Sequence, residues 1–246
     1  MTLTANPLLI HQGFELLAFG VGAALYRRGG RHHGASDPLA PPGVWATLGC
    51  VVGALLGSKL TAALELPHVV WADLGALLRG QSMVGGLVGG WLGVELMKRV
   101  HGLRDSTGDR FVLPVAVGLA IGRVGCFLAG LPDGTYGTET DLPWGVDFGD
   151  DVRRHPVQLY EIAVVLALAL LLARPSRLAK LPGLRFRLFF DAYLLWRVGI
   201  EFWKPLIYTF PGGLHGTQWV ALVALAAHLP GTARALATLR REGPSP

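Results

Sequence analysis

The chain of 246 residues is 51% hydrophobic and 16% charged, with a mean hydropathy of +0.43. Soluble domains carry about 25% charged residues, so this composition excludes an ordinary soluble protein and points to an integral membrane protein. The net charge of +5 raises nucleic acid as a partner, but the cations sit between apolar segments in a pattern that argues against it.

A hydrocarbon core of about 30 Å takes about 20 apolar residues per helix. Seven segments approach that length, roughly 8 to 26, 44 to 66, 82 to 97, 111 to 131, 157 to 173, 187 to 208 and 217 to 229. They predict an all-α, polytopic membrane protein forming a single domain over 1–246. Met1 to Pro7 carries no positively charged side chain and no small-residue cleavage pattern, so the first segment reads as a retained helix and not as a removed signal. A Gly/Pro-rich connection runs from Gly29 to Gly43. In the next three segments glycines recur four residues apart: Gly53 with Gly57, Gly85 with Gly89, Gly86 with Gly90, and Gly118 with Gly122. Small residues at that spacing let backbones approach, which predicts a tight bundle around segments two to four. Cys50 and Cys126 lie within spans and by spacing form neither a disulfide framework nor a metal-ligand pair.

The connection from Leu131 to Arg154 holds Asp133, Glu139, Asp141, Asp147, Asp150 and Asp151 with Trp144 and Phe148. Its Pro-Asp-Gly and Leu-Pro-Trp-Gly turns predict short strands or irregular backbone. Pro156 suits a first helical position in the fifth segment, where its missing N–H would be unsatisfied in any residue. In the seventh segment Pro230 predicts an interruption, with Ala233 to Leu239 able to continue beyond a kink.

Lys and Arg alternate in density between segments. Arg27, Arg28 and Arg31 follow the first, Lys98, Arg99, Arg104 and Arg110 the third, five more the fifth, and three lie in the tail, against Arg79, Arg153, Arg154 and Lys204 elsewhere. Fifteen against four predicts an N-terminus outside, a C-terminus in the cytoplasm and an outer-face loop at 131–154.

Arg123 and Arg197 sit inside apolar segments, and Glu201 follows Arg197 by one helical turn. An ion in hydrocarbon costs several kcal/mol, so it persists where it meets a partner, a cavity or a charged ligand. Counted from the outer ends of their spans, Lys59, Arg123 and Arg197 fall roughly 10 to 17 Å deep at about 1.5 Å per residue. Three cations and one carboxylate in one layer leave a positive surplus, whose natural counter-ion is an anionic lipid headgroup held through planar guanidinium groups. Packing alone would explain an Arg197–Glu201 pair, whereas Arg123 has no acidic neighbour at helical spacing. At the outer start of the fifth segment Gln158 and Glu161 share a face, placing Glu161 within reach of an arginine and Tyr160 at the interface.

These residues together resemble the prolipoprotein diacylglyceryl transferase family of bacterial inner membranes. The motifs that carry the likeness are Gly57-Ser58-Lys59-Leu60, Gly80-Gln81-Ser82-Met83-Val84-Gly85-Gly86, Gly122-Arg123-Val124-Gly125, Leu142-Pro143-Trp144-Gly145-Val146, the run from Arg154 to Glu161, Tyr193 with Arg197 and Glu201, and Gln218. The resemblance implies a multi-pass enzyme that moves the diacylglyceryl group of phosphatidylglycerol onto the thiol of a lipobox cysteine in a prolipoprotein signal peptide, without metal or diffusible cofactor. It implies that Arg123 holds the lipid phosphate, helped by Lys59, Gln158, Tyr160 and Glu161. Arg197, oriented by Glu201 and accompanied by Tyr193 and His155, would assist departure of the phosphate. Nearby guanidinium groups lower a thiol pKa and so favour the reactive thiolate.

Three positions depart from the family pattern. Val84 stands where a histidine, a candidate base, is usual; Cys126 stands for an asparagine and Leu131 for a glutamate, while Phe14 replaces an early tyrosine. Either His155, Asp133 or the electropositive site itself takes up the proton work, or the lipid pocket serves a non-catalytic lipid-binding protein or small transporter. A transporter usually shows inverted repeats, which this chain lacks. Cys126, three positions after Arg123, is itself a candidate thiolate, with packing as its simpler role.

Overall fold

The computed structural model describes residues 6–31, 43–65, 80–103, 106, 108–205 and 209–241. The stretch 32–42, Arg79, Arg104 and Tyr208, used above to define connections and a span end, lie outside them. Seven α-helices carry the described chain: α1 (Pro7–Arg31), α2 (Gly43–Glu65), α3 (Met83–Val100), α4 (Val112–Ala129), α5 (Val157–Ala173), α6 (Leu184–Ile200) and α7 (Gly216–Arg241). The described sheet is one antiparallel pair of two-residue strands in the 131–154 connection, β1 (Val146–Asp147) and β2 (Arg153–Arg154), with Val146 opposite Arg154.

Four helical stretches, 7–29, 43–65, 108–129 and 216–241, are long and apolar enough to cross a membrane, and α5 is apolar but shorter, at 17 residues. In α3, Glu95, Lys98 and Arg99 dilute the apolar run, as Arg185, Arg187, Asp191 and Arg197 do in α6. Large apolar side chains face outward along the helices, with Leu16 74% and Leu170 68% exposed, a surface suited to lipid rather than to water.

Two helix ends differ most from the expected spans. Instead of running to 208, α6 stops at Ile200, where Glu201–Trp203 tighten into a 3₁₀ turn. Pro205 disfavours helical backbone at the residue before it, and Lys204 is extended, at φ −105° and ψ 151°. Arg197 therefore lies in the last turn of its helix, and the expected count along a continuous helix to 208 does not apply to it. Conversely, α7 runs unbroken through Pro230 to Arg241. Proline removes one backbone hydrogen bond, and a helix in an apolar setting has nowhere else to place the remaining ones, so it continues.

Helix α2 packs along α3, α1 along α4, α4 against α5, and α6 against α7, which also reaches α2 and α3. The first pairing explains half of the glycine pattern. A Cβ on Gly53 or Gly57 would strike the carbonyl of Gly89 or Gly85, and one on Gly93 would strike Gly49. The two backbones touch, and Gly49 facing Gly93 extends the motif by one turn beyond the Gly53–Gly89 contact. Ser58 and Ser82 fix the register, because Ser58 Oγ accepts from the Ser82 N–H at 3.0 Å while Ser82 Oγ caps α3 by accepting from Gly85 N–H at 3.3 Å. The other glycines do not serve a tight bundle. A Cβ on Gly86, Gly118 or Gly122 would meet nothing nearer than 3.6 Å, and all three line a cavity between the α1/α4 and α2/α3 pairs. Contrary to expectation, α4 thus leaves segments two and three and pairs with α1, where Phe14 rests on Gly125.

G89A should lower the thermal midpoint of the detergent-solubilised protein, since overpacking a helix contact costs about 1–3 kcal/mol. G118A should leave the midpoint nearly unchanged.

Candidate functional site

The cavity has a volume of about 1750 Å³ and runs between the two helix pairs. Lys59, Arg123, Arg197, Glu201 and Lys204 all line it. The three intramembrane cations that sequence places in one layer therefore share one hollow, with Lys59 on one wall and the arginines on the other.

Both arginines converge on one carboxylate. Glu161 of α5 is 2% exposed; its Oε2 lies 2.8 Å from Arg123 Nε of α4 and 2.9 Å from Arg197 Nη1 of α6. Tyr193, one turn before Arg197 and fully buried, donates its hydroxyl to Glu161 Oε1 at 2.7 Å. On its other side Arg197 pairs with Glu201, whose Oε1 also receives Lys204 Nζ at 2.9 Å. Three cations thus face two carboxylates, and Lys59 adds a fourth positive charge across the cavity. Such a cluster is tolerable in an apolar setting because each ion meets a partner, and a surplus of positive charge of this kind suits an anion. Lys59 donates to Gly80 O at 2.9 Å, turning toward the turn that opens α3 instead of extending outward.

The remaining expected site residues have other placements. Gln158 is fully buried behind the wall, and its Nε2 lies 3.3 Å from Thr135 Oγ1, tying α5 to the connection before it. Neither His155 nor Tyr160 lines the cavity. Tyr160 accepts from Trp144 Nε1 at 2.8 Å and lies 3.3 Å from His155 Nδ1, and the His155 ring stacks on Trp203 with centroids 5.9 Å apart. Together they buttress the 131–154 connection, whose backbone also joins the end of α6 through Thr138 N–H donating to Trp203 O at 2.7 Å. Glu161 and Tyr193 act from behind the arginines. Val84 faces the opposite way, fully buried against Phe190, Leu194 and Ala221.

Sequence spacing did not reveal a trio beside Arg123. His11 of α1 meets Asp133 Oδ1 through Nδ1 at 2.6 Å, and Cys126 Sγ stands 3.9 Å from the same nitrogen and 3.8 Å from Arg123 Nη1. The three donor groups lie within 4.8 Å of one another, a spacing a cation could bridge. As placed, however, the 2.6 Å contact has the length of a charged hydrogen bond, and the guanidinium occupies the cationic position beside the sulfur. Asp133 lies outside the α-helices, in the 3₁₀ turn Leu131–Asp133 that follows α4. Burial works against its charge, but hydrogen bonds from His11 and Thr135 outweigh it and hold the carboxyl below the usual aspartate range. Cys126 and Asp133 were candidates from sequence, but only the α1/α4 pairing brings His11 to them.

A second unanticipated residue is His215, just before α7. It lines the cavity with Nδ1 3.8 Å from Glu201 Oε2 and 3.9 Å from Glu65 Oε2. Its backbone N–H donates to Gln218 Oε1 at 2.8 Å, and Gln218 Nε2 donates to Val198 O at 2.9 Å, locking the turn onto α6.

Residues 8–233 match the profile of the family described as prolipoprotein diacylglyceryl transferase. A phosphatidylglycerol-prolipoprotein diacylglyceryl transferase of Rhizobium leguminosarum bv. trifolii is 33% identical over 198 residues, covering 73% of this chain and 65% of the relative. Its counterpart in Phenylobacterium zucineum is 32% identical, covering 64% and 60%, and that in Allorhizobium ampelinum is 32% identical, covering 82% and 74%. The match to the first two spans slightly less than two thirds of their length.

Two outcomes follow from this geometry. E161Q leaves two buried guanidiniums short of a counter-charge and should destabilise the protein by about 3–5 kcal/mol, read from denaturation in detergent. Because the Asp133 carboxyl is depressed, its stabilisation is present above the unfolded value of about 3.9 and is lost as pH falls through the lower folded value. D133N should therefore melt below the parent protein at pH 7, with the gap closing as the pH drops beneath about 4.

Proposed function

The chain belongs to the prolipoprotein diacylglyceryl transferase family, and from that premise we propose that it transfers the diacylglyceryl group of phosphatidylglycerol to the lipobox cysteine thiol of prolipoprotein signal peptides. The enzyme works in the bacterial inner membrane, crossing it seven times with its N-terminus outside and its C-terminus in the cytoplasm. The distribution of Lys and Arg supports that orientation, and the outward apolar faces of the helices support the setting. The arginines then open toward the outer leaflet, where lipid and precursor meet.

The observation that carries the reading is the convergence of Arg123 and Arg197 on Glu161 at the wall of a lipid-sized cavity. Arg123 binds the phosphate of the bound lipid, with Lys59 closing from the facing wall. As the glyceryl carbon–oxygen bond breaks, negative charge grows on the phosphate oxygen, and Arg197, held by Glu161 and Glu201, stabilises that growing charge. Because the guanidiniums are already paired and oriented, they need no reorganisation as the charge develops. Tyr193 is a positioning residue acting through Glu161, and Gln158 positions the loop. His155 and Tyr160 stand behind the 131–154 connection, so their part is structural. Glycines 86, 118 and 122 widen the cavity for the acyl chains.

Mass spectrometry of a lipobox peptide incubated with the protein and phosphatidylglycerol should show a gain of one diacylglyceryl group. R123A should reduce that gain at least about 100-fold, as losing a preorganised electrostatic contact does, while the protein stays folded in the membrane. Near-normal turnover by R123A would count against this mechanism. An unmodified peptide beside tight lipid binding by the parent protein would instead favour a non-catalytic lipid carrier.

A further inference from the structure

Attack by a thiol on the glyceryl carbon requires the sulfur to lose its proton, and Val84 supplies no group to take it. We propose that His215 is the base that accepts the proton of the incoming cysteine thiol; the assignment rests on the transferase reading above.

Position and bonding single it out among the described histidines. His101 stacks on Trp45. His155 is turned onto Trp203, outside the cavity. His228 is buried against Asp191 Oδ1 at 2.6 Å, six residues and so about 9 Å along α6 from Arg197. His11 has its Nδ1 taken up by Asp133. His215 is 5% exposed, lines the cavity beside Arg197 and Glu201, and has a buried Nε2 with no partner among the described residues. A buried ring nitrogen without a partner is costly unless a group arrives to meet it. The two carboxylates near Nδ1, on Glu201 and Glu65, favour the tautomer with its proton on that nitrogen, leaving the lone pair on Nε2. They also orient the ring, the role a carboxylate has beside any histidine base.

The step balances. The thiol proton passes to His215 Nε2, the sulfur electron pair forms the C–S bond to the glyceryl carbon, and the C–O bond to phosphate breaks with its electron pair remaining on oxygen. The products are the thioether-linked peptide and glycerol phosphate, and the imidazolium gives its proton to the phosphate or to water. Cys126 is not an intermediate carrier, because a thioether formed on it would need a second displacement at carbon from an unactivated sulfur.

The test compares the parent enzyme with H215Q across pH 6 to 9, using phosphatidylglycerol vesicles and a lipobox peptide. With its base removed the variant depends on free thiolate. Its turnover should fall about 100-fold at pH 7 and then climb roughly tenfold per pH unit toward the ordinary thiol value of about 8.5. The parent, whose base accepts the thiol proton, should climb far less steeply over the same range. A peptide carrying selenocysteine at the lipobox position, ionised without help, should be turned over nearly as well by H215Q as by the parent. H215N serves the same purpose should glutamine not fit the site, and phosphatidylglycerol binding by either variant reports that the fold is kept. Turnover of H215Q within twofold of the parent at pH 7, or an equal loss at every pH and with both peptides, overturns the assignment while leaving transferase activity intact. Absence of transfer by the parent overturns the reading beneath it and this role together.

Discussion

One carboxylate organises this protein. Glu161 faces two guanidiniums and a tyrosine hydroxyl that come from two other helices, and all of these side chains are more than nine-tenths buried. An arginine in such a place is tolerable only when paired, so the charge pairing dictates that α4, α5 and α6 meet with these side chains at a common level. The same pairing fixes the guanidinium planes, and a planar, oriented guanidinium is what a phosphate needs for two parallel hydrogen bonds. Packing and function therefore depend on one interaction. The helices come together to satisfy the charges, and the unspent positive charge is left facing the cavity.

The glycines explain why there is a cavity for that charge to face. Gly49, Gly53 and Gly57 meet Gly85, Gly89 and Gly93 so closely that α2 and α3 behave as one unit. Helices this close stand away from α1 and α4, and the space between the two pairs is lined by glycines that contact no backbone tightly. Identical four-residue spacing thus serves two ends, close approach on one face and room on another.

Sequence alone made the charges legible, since Arg123 and Arg197 stand out against apolar neighbours and Glu201 lies one turn from its partner. It also placed the helices, with α2, α4 and α5 to within two residues. What local spacing could not carry was anything joining distant segments. Glu161 pairs with both arginines, not one, and His11 reaches Asp133 only because α1 lies along α4. His215 sits in a short irregular turn where no periodic pattern marks it, and its significance comes from Glu201 and Glu65 on other elements. Helix ends were misjudged where backbone chemistry overrode hydropathy, as at Ile200 before the 3₁₀ turn and through Pro230. His155 drew notice through its motif, yet its ring was claimed by Trp203 and Tyr160.

The claim on which the account stands is that the paired guanidiniums recognise a phosphate, independently of any bond made or broken. Native mass spectrometry of the purified protein in competition between phosphatidylglycerol and diacylglycerol, which share acyl chains and differ in the phosphate headgroup, isolates that recognition. The account predicts a preference for phosphatidylglycerol that largely disappears in R123Q, with diacylglycerol bound equally by both proteins. An unchanged preference in R123Q, or no preference in the parent, would contradict it.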